Sequence, residues 1–216
     1  DFGASTLGSG AFTVNAVGIT QSGAITQAAN AGAASFNAGA GVITLINLGN
    51  NFIGPVSLTN TGAFNVAITD TNDITIGVTN LGTGTFEVTG STINLNNNIT
   101  TTNNSQTYTG NVVVNANSGG LPLTLSAGSG AINFTGNIDS KSSNNYSLTL
   151  TSTGDVTIGG TIGGTQALGA LLITGNDISL GNIGGANNAG TNSNVSVRAS
   201  DGADNGSITL TGTIYK

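Results

Sequence analysis

The chain has no cysteine and no histidine, and only three Lys and Arg residues, two prolines and, as seven Phe and three Tyr, ten aromatics among 216 residues. Without cysteine there is neither a disulfide nor a thiolate metal site. Without histidine, Ser-His-Asp and Cys-His nucleophilic arrangements and His-ligated zinc are excluded. Three cations against nine carboxylates, a net charge of −6, cannot neutralise a phosphate backbone, so no nucleic-acid partner is expected. Anionic membrane surfaces would repel the same acidic chain. No apolar run is long enough to span a bilayer and neither end resembles a signal peptide, so no membrane insertion or targeting segment is expected within this stretch. Charged residues make up only 6%, against roughly 25% in an average soluble protein. With abundant Gly and Asn, so little charge would suggest disorder, but 37% hydrophobic residues in alternating order supply a core to bury.

What the chain has instead is a short motif that keeps returning: GAINFTGNI at 130–138, GDVTIGGTI at 154–162, NDISLGNI at 176–183 and GSITLTGTI at 206–214. Each is an alternating strand, then Gly or Asn, then another apolar residue. Imperfect repetition of that kind marks stacked coils rather than a compact globule. Aligned on the first apolar residue, the copies fall at Ile132, Val156, Ile178 and Ile208, with a weaker copy, INLNNNI at 93–99, aligned on Ile93. The first two steps between strong copies are nearly equal and the third, from Ile178 to Ile208, is longer. The step from Ile93 to Ile132 is longer still and reads as two shorter coils. Coil length is then roughly 20–24 residues, inside the solenoid range. The long last step is assigned to a protruding loop of turn formers, GGANNAGTNSN at 184–194.

A second strand precedes each core repeat: LTL at 123–125, YSLTL at 146–150, LLIT at 171–174 and VSVR at 195–198. Alternation of apolar residues with Thr, Ser or Asn puts one face in a core and the other in water. Gly, Asn, Ser and Asp between the strands suit sharp corners. No segment carries a helical period, and Gly and β-branched residues are too frequent for one. The first half reads the same way with less regular spacing, through AFTV (11–14), AITQ (24–27), ASFN (34–37), VITLI (42–46), PVSL (55–58), FNVAI (64–68), DITI (73–76), TFEV (85–88) and TINL (92–95). No composition shift or Pro-rich linker separates the halves, so residues 1–216 are read as one all-β, parallel β-solenoid segment. About ten coils at about 4.8 Å each would make a rod on the order of 50 Å long. The chain opens at Asp1 without Met and stops at Lys216 one strand after a repeat, with no polar cap at either end. It reads as part of a longer repetitive chain, its ends covered by neighbouring coils or by head-to-tail copies in a filament.

In style the repeats GITQSGAITQ (18–27), GVITLINLGNNFIGPVSLTNTG (41–62), LTSTGDVTIGGTIGG (150–164) and GADNGSITLTGTIY (202–215) resemble the exoprotein passengers of bacterial two-partner secretion, of the filamentous haemagglutinin type. The resemblance covers nearly the whole chain. It implies a right-handed parallel β-helix, exported to the cell surface or the medium, serving as a stalk or adhesive fibre that contacts cell-surface glycans or proteins. The family's N-terminal secretion-signal domain is not evident in this stretch.

Catalysis is not expected, and no cofactor is implied. A polysaccharide-processing β-helix would need paired carboxylates, or a base with cations to stabilise an intermediate. The supply is Asp1, Asp70, Asp73, Glu87, Asp139, Asp155, Asp177, Asp201 and Asp204 against Lys141, Arg198 and Lys216. Asp155 and Asp177 occupy the same place in successive repeats, and a repeated turn residue bonding nearby backbone outweighs a catalytic pair there. DTND (70–73) and DGADN (201–205) bring carboxylates together as calcium loops do, but neither the β-roll nonapeptide nor an EF-hand loop is present. Solvated turns explain both better, leaving Asp201 and Asp204 as a weak calcium candidate. Thr-x-Thr triplets at 59–61, 69–71, 83–85, 107–109, 149–151 and 209–211 raise ice binding as an alternative, which would need one triplet per coil on one flat face. Phe2, Phe12, Phe36, Phe52, Phe64, Phe86 and Phe134 read mostly as core. Tyr108, Tyr146 and Tyr215 read either as surface contacts or as core-edge residues with wet hydroxyls.

Overall fold

The computed structural model describes residues 1–115, 121–142, 144–200 and 206–216. The chain winds as an all-β solenoid of about eight turns built from parallel strand pairs, with no helix among the described residues. Each turn contributes short strands to as many as three ladders. Ladder B is the most complete, its register running through Ile19, Ile43, Val66, Phe86, Gln106, Ile132, Val156, Ile178 and Ile208. Most steps between those rungs fall within the expected coil length, and only Gln106 to Ile132 and Ile178 to Ile208 exceed it. Eight steps at about 4.8 Å give a stack about 38 Å long rather than about 50 Å.

Ladder A passes through strands Phe12–Asn15, Ala34–Asn37, Val56–Asn60 and Ile74–Leu81, and resumes with Ile99–Thr100, Leu123–Gly128, Leu148–Ser152, Leu171–Gly175 and Val195–Ala199. The predicted second strand of each repeat is here, with Leu123, Leu148, Leu171 and Val195 in register. Ladder C grows from the last apolar residue of each repeat. It joins Ile74, Ile93, Val112 and Ile138, then Ile162, Ile183 and Tyr215 as single bridges. In the final coil Tyr215 takes the place expected of Ile214.

Two expectations about spacing change. Ile93 is in register with Val112 and Ile138, not with Ile132, so the long step from Ile93 to Ile132 compares residues on different ladders. The INLNNNI copy belongs to ladder C, and the rung below Ile132 is Gln106, inside a strand, Gln106–Val114, that sequence alternation does not reveal. The long last step also has a different origin. The path from Ile178 to Val195 is barely longer than the equivalent path from Val156 to Leu171, whereas that from Val195 to Ile208 is nearly twice that from Leu171 to Ile178. Most of the extra length therefore lies between Val195 and Ile208, not in 184–194. That stretch folds back into the stack, with Thr191 bridging Leu168 and the Gly190 N–H donating to the Lys216 carbonyl at 2.8 Å.

The core is a set of columns, one apolar side chain per coil, as the period-two burial of strands such as Leu123–Gly128 requires. Phe2, Phe12, Phe36 and Phe52 form an edge-to-face series with centroids 5.9 Å apart. Phe86, Tyr108 and Phe134 form a second, closed by a stacked pair at 4.8 Å. Tyr108 is fully buried, against the expectation of a surface or edge tyrosine: its hydroxyl donates to Gln106 Oε1 at 2.8 Å, and burial pushes its phenol well above the usual range. Phe64 departs the other way, at 57% exposure on the corner before Val66–Thr69.

Corners repeat a tight contact. Gly110, Gly136, Gly160 and Gly181 stack at successive turns, and a Cβ on any of the last three would meet the carbonyl of the glycine one coil back, closer than real Cβ atoms stand. That close approach, more than conformational freedom, explains the Gly that follows each core strand.

Candidate functional site

Ladder C carries a broad polar depression of about 480 Å³, with Asp139 and Lys141 among its lining residues beside Asn94, Asn111, Asn137 and Gln166. Strand Ile138–Ser140 places Asp139 outward between two inward residues. Asp139 Oδ1 accepts the Thr165 N–H at 2.8 Å and the Gln166 N–H at 3.0 Å, which fastens the next coil to this one. Among the described residues Asp139 is the one carboxylate lining the depression, and no aromatic lines it. Arg198 lies on ladder A in register with Thr174, away from this cation. The lining offers hydrogen-bonding amides and hydroxyls around one ammonium, a surface suited to a polyol better than to acid–base chemistry.

Asp155 and Asp177 do stack on adjacent coils. Asp155 Oδ1 accepts the Asp177 N–H at 3.2 Å and the Asn176 side-chain amide at 3.1 Å. Asp177 Oδ1 accepts the Ser207 hydroxyl at 2.7 Å and the Ser207 N–H at 2.9 Å, and these bonds hold its carboxyl below the ordinary 3.8. The repeated aspartate is thus a backbone ligand, as expected of a turn residue, but its target is the equivalent residue one coil on rather than its own turn.

The same device recurs at Asn and Ser positions, two of them, Asn137 and Asn182, inside the repeat motifs. Asn65 accepts from the Thr85 N–H at 3.1 Å, Asn111 from Asn137 at 3.1 Å, Asn137 from Thr161 at 2.8 Å, Asn182 from Thr213 at 2.7 Å and Ser147 from Ala170 at 2.9 Å. All but Asn111, which lies inside Gln106–Val114 just before its ladder C rung, stand at the residue leading into a strand or bridge. The findable signal is Asn, Asp or Ser recurring just before the first apolar residue of a rung.

Asp70 is buried rather than part of a solvated turn. Its two oxygens accept the Phe52 N–H at 2.6 Å and the Asn72 N–H at 2.8 Å. Desolvation nevertheless raises its pKa above 3.8, opposed by those two N–H bonds and assisted by the charge of Asp73. Asp201 and Asp204, the calcium candidate, lie outside the described residues. Among the described residues no three Asp, Glu, His or Cys side chains gather as a metal-binding group.

The Thr-x-Thr triplets do not share one face. Those at 107–109 and 209–211 lie on ladder B and that at 149–151 on ladder A, while those at 59–61, 69–71 and 83–85 run into corners. On ladder B the outward position alternating with the core reads Thr20, Thr44, Ala67, Glu87, Thr107, Asn133, Thr157, Ser179 and Thr209. That column is polar everywhere except at Ala67, and mixed in chemistry.

Neither a curated protein nor a solved structure matches the chain. Residues 1–59 match a family described as repeats of unknown function (DUF5649), which covers just over a quarter of the 216 residues.

Proposed function

We propose that this chain is a rigid, non-catalytic segment of a secreted or cell-surface bacterial exoprotein of the filamentous haemagglutinin type, serving as a stalk or adhesive fibre. The observation that carries the reading is where the carboxylates are spent. Asp70, Asp139, Asp155 and Asp177 each accept backbone N–H groups; Asp155 and Asp177 do so from the residue that enters the next coil's strand, and Asp139 from Thr165 and Gln166 in a bend of the next coil. Groups that an enzyme would hold ready for substrate are here committed to stacking. The repeat family match and the solenoid fold are consistent with a structural repeat protein. Where the surface is adhesive, the ladder C depression around Lys141 is the place for a neutral glycan, bound through Asn, Thr and Ser groups.

Antibodies against residues 1–216 should label intact cells of the producing organism, or their culture medium. Labelling confined to lysed cells would sink the surface reading. Incubation of the protein with a polysaccharide panel should release neither new reducing ends nor unsaturated products; turnover abolished by Asp139→Asn would replace this reading with an enzyme.

A further inference from the structure

We propose that the ladder C depression continues past a glycine corner into a second one, and that the two together seat one extended, neutral polysaccharide chain lying obliquely along the coil stack. The proposal deepens the adhesive reading and rests on it in one respect, that the ligand met at Lys141 is a glycan.

The second depression, of about 440 Å³, lies where ladder B turns into ladder C, with Leu48, Thr71, Ser91 and Thr109 among its lining. It shares a rim with the first, since Ser91 lines one and Thr92 the other, as do Gly110 and Asn111. The cause is local. Among the described residues, Phe86–Leu95 and Gln106–Val114 are the two strands that run from ladder B into ladder C without a break. Their register shifts between Thr89 and Thr92, where the earlier strand carries one additional residue. Gly90 and Gly110 stand at that shift and line the second depression. Gly110 holds a φ of 129°, and a Cβ on it would run into the Gly90 carbonyl, so only glycine fits the corner. From Leu48 to Gln166 the joined groove crosses six successive coils, five rises of about 4.8 Å, or about 24 Å along the stack.

The polar groups along it are unspent. Asn111 and Asn137 give their oxygens to the N–H groups of Asn137 and Thr161 on the next coil, which leaves each amide nitrogen free to donate. The hydroxyls of Thr71, Ser91, Thr92 and Thr109 and the Lys141 ammonium also have no partner among the described residues. The carboxylates, by contrast, are occupied: Asp70 by Phe52 and Asn72, Asp139 by Thr165 and Gln166. Apolar contact is offered by Leu48, 81% exposed, at one end and by half-buried Val113 farther on.

This chemistry selects the ligand. Hydroxyls and amides repeated at the coil rise match a chain of sugar rings, which when extended advances by nearly the same distance per ring and carries hydroxyls and C–H faces. A polyanion would meet one ammonium on a chain of net charge −6. A peptide strand would find no open edge, because Phe86–Leu95 and Gln106–Val114 are paired on both sides.

The test is titration calorimetry of the 216-residue chain with linear neutral oligosaccharides, dimer to hexamer, of glucose, mannose or N-acetylglucosamine. For the sugar that binds, affinity should rise about tenfold from dimer to hexamer, the worth of two further hydrogen bonds. Ser91 and Leu48 are exposed, so Ser91→Ile and Leu48→Ser should keep their β-structure by circular dichroism. Ser91→Ile should return the hexamer to the trimer's affinity, and Leu48→Ser should weaken the hexamer; both should leave the trimer, held within the ladder C depression, unchanged. A hexamer that binds no tighter than the trimer, or that binds both variants as well as wild type, would overturn the continuous groove and leave a glycan at Lys141 in place. Binding of none of these sugars, or tighter binding of an oligogalacturonate, would overturn groove and neutral glycan alike and leave the stalk reading to surface labelling. Length-dependent binding by a chain that fails to label at the surface would do the reverse.

Discussion

The early coils are fastened at their corners chiefly from inside and the later ones chiefly from outside. Asn65 is an outside fastener among the first, and buried Ser140 and Ser152 are inside fasteners among the second. Between ladders B and C, Asn50 is fully buried. Its Oδ1 accepts the Ile25 N–H at 2.9 Å and its Nδ2 donates to the carbonyls of Leu45 and Thr69 at 3.1 and 3.0 Å. Gln21 adds a reciprocal amide pair with it, at 2.8 Å in both directions. Gln27 accepts the N–H groups of Ile53 and Gly54 at 2.9 and 3.1 Å, and Asp70 those of Phe52 and Asn72. In the later coils the same task falls to outward Asp139, Asp155, Asp177, Asn137 and Asn182. An inside fastener needs an irregular loop shaped around one side chain, whereas an outside fastener works at a fixed place in every turn.

The comparison breaks most visibly at Asn50. Asn50→Ala removes the side-chain partner of the buried Ile25 N–H and of the Leu45 and Thr69 carbonyls, while the Gln21 amide keeps Gly23 and Asn47. Each buried group left unpaired costs about 1–3 kcal/mol. We expect a loss of about 3 kcal/mol or more, read as a drop in the urea midpoint. Asp177→Ala exposes its freed Ser207 N–H to water and should move the midpoint only slightly. Equal effects from the two variants would erase the distinction between inside and outside.

Register and alternation explain which parts of the fold were legible. The four strong repeats could be aligned because Ile132, Val156, Ile178 and Ile208 are true register partners, and their preceding strands were found for the same reason. Ladder C was legible at DITI (73–76) and TINL (92–95) but not farther on, where a single apolar residue such as Ile162 makes a bridge and no alternating run. Nothing in the sequence pattern singles out Gln106 and Asn50, and only the folded chain shows them buried and bonded. Asp155 and Asp177 could be placed by their repeat position, but not their partners, since a bond reaching into the next coil depends on coil length. Lys141 and Asp139 share a depression that spans four coils, which no local pattern encodes.

A smaller effect is expected in the glycine corner of the regular half. A Cβ on Gly160 would run into the Gly136 carbonyl, whereas one on Gly159 would meet its nearest atom at 3.4 Å, ordinary contact. Gly160→Ala should cost about 1–3 kcal/mol, as other overpacked sites do. Gly159→Ala should be close to neutral in the same denaturation assay. A neutral Gly160→Ala would mean that the corner yields, and that outside bonds rather than the glycine column set the coil spacing.

Acid separates the two kinds of fastener by sign. Asp70, raised by burial, holds its proton more tightly in the folded chain than in the unfolded one. Its contribution to stability therefore declines as pH rises from about 3.8 through its higher folded value. Asp177 is lowered by its Ser207 bonds. Its contribution is present above 3.8 and is lost as pH falls through the lower folded value. Carboxyl-resolved NMR titration should place Asp70 above 3.8 and Asp177 below it, and Asp70→Asn should flatten only the upper part of the stability profile. Titration of the two groups in the reverse order would contradict the inside–outside assignment.

The junction between the two regimes offers the smallest and most pointed test. Ladder A shifts register between Val56 and Leu58, where an additional residue in Ile74–Leu81 sets Thr79 opposite Leu58. Thr79 Oγ1 is buried without a hydrogen-bond partner among the described residues, a group that the interior neither hydrates nor uses. Leu58 belongs to a core column, so a methyl in place of that hydroxyl suits the site while leaving the shape nearly unchanged. Thr79→Val should therefore stabilise the chain by about 1 kcal/mol, raising the urea midpoint without altering its slope. A fall in midpoint would show that the hydroxyl takes part in fastening the junction, making the register shift a third kind of fastener rather than a seam between the other two.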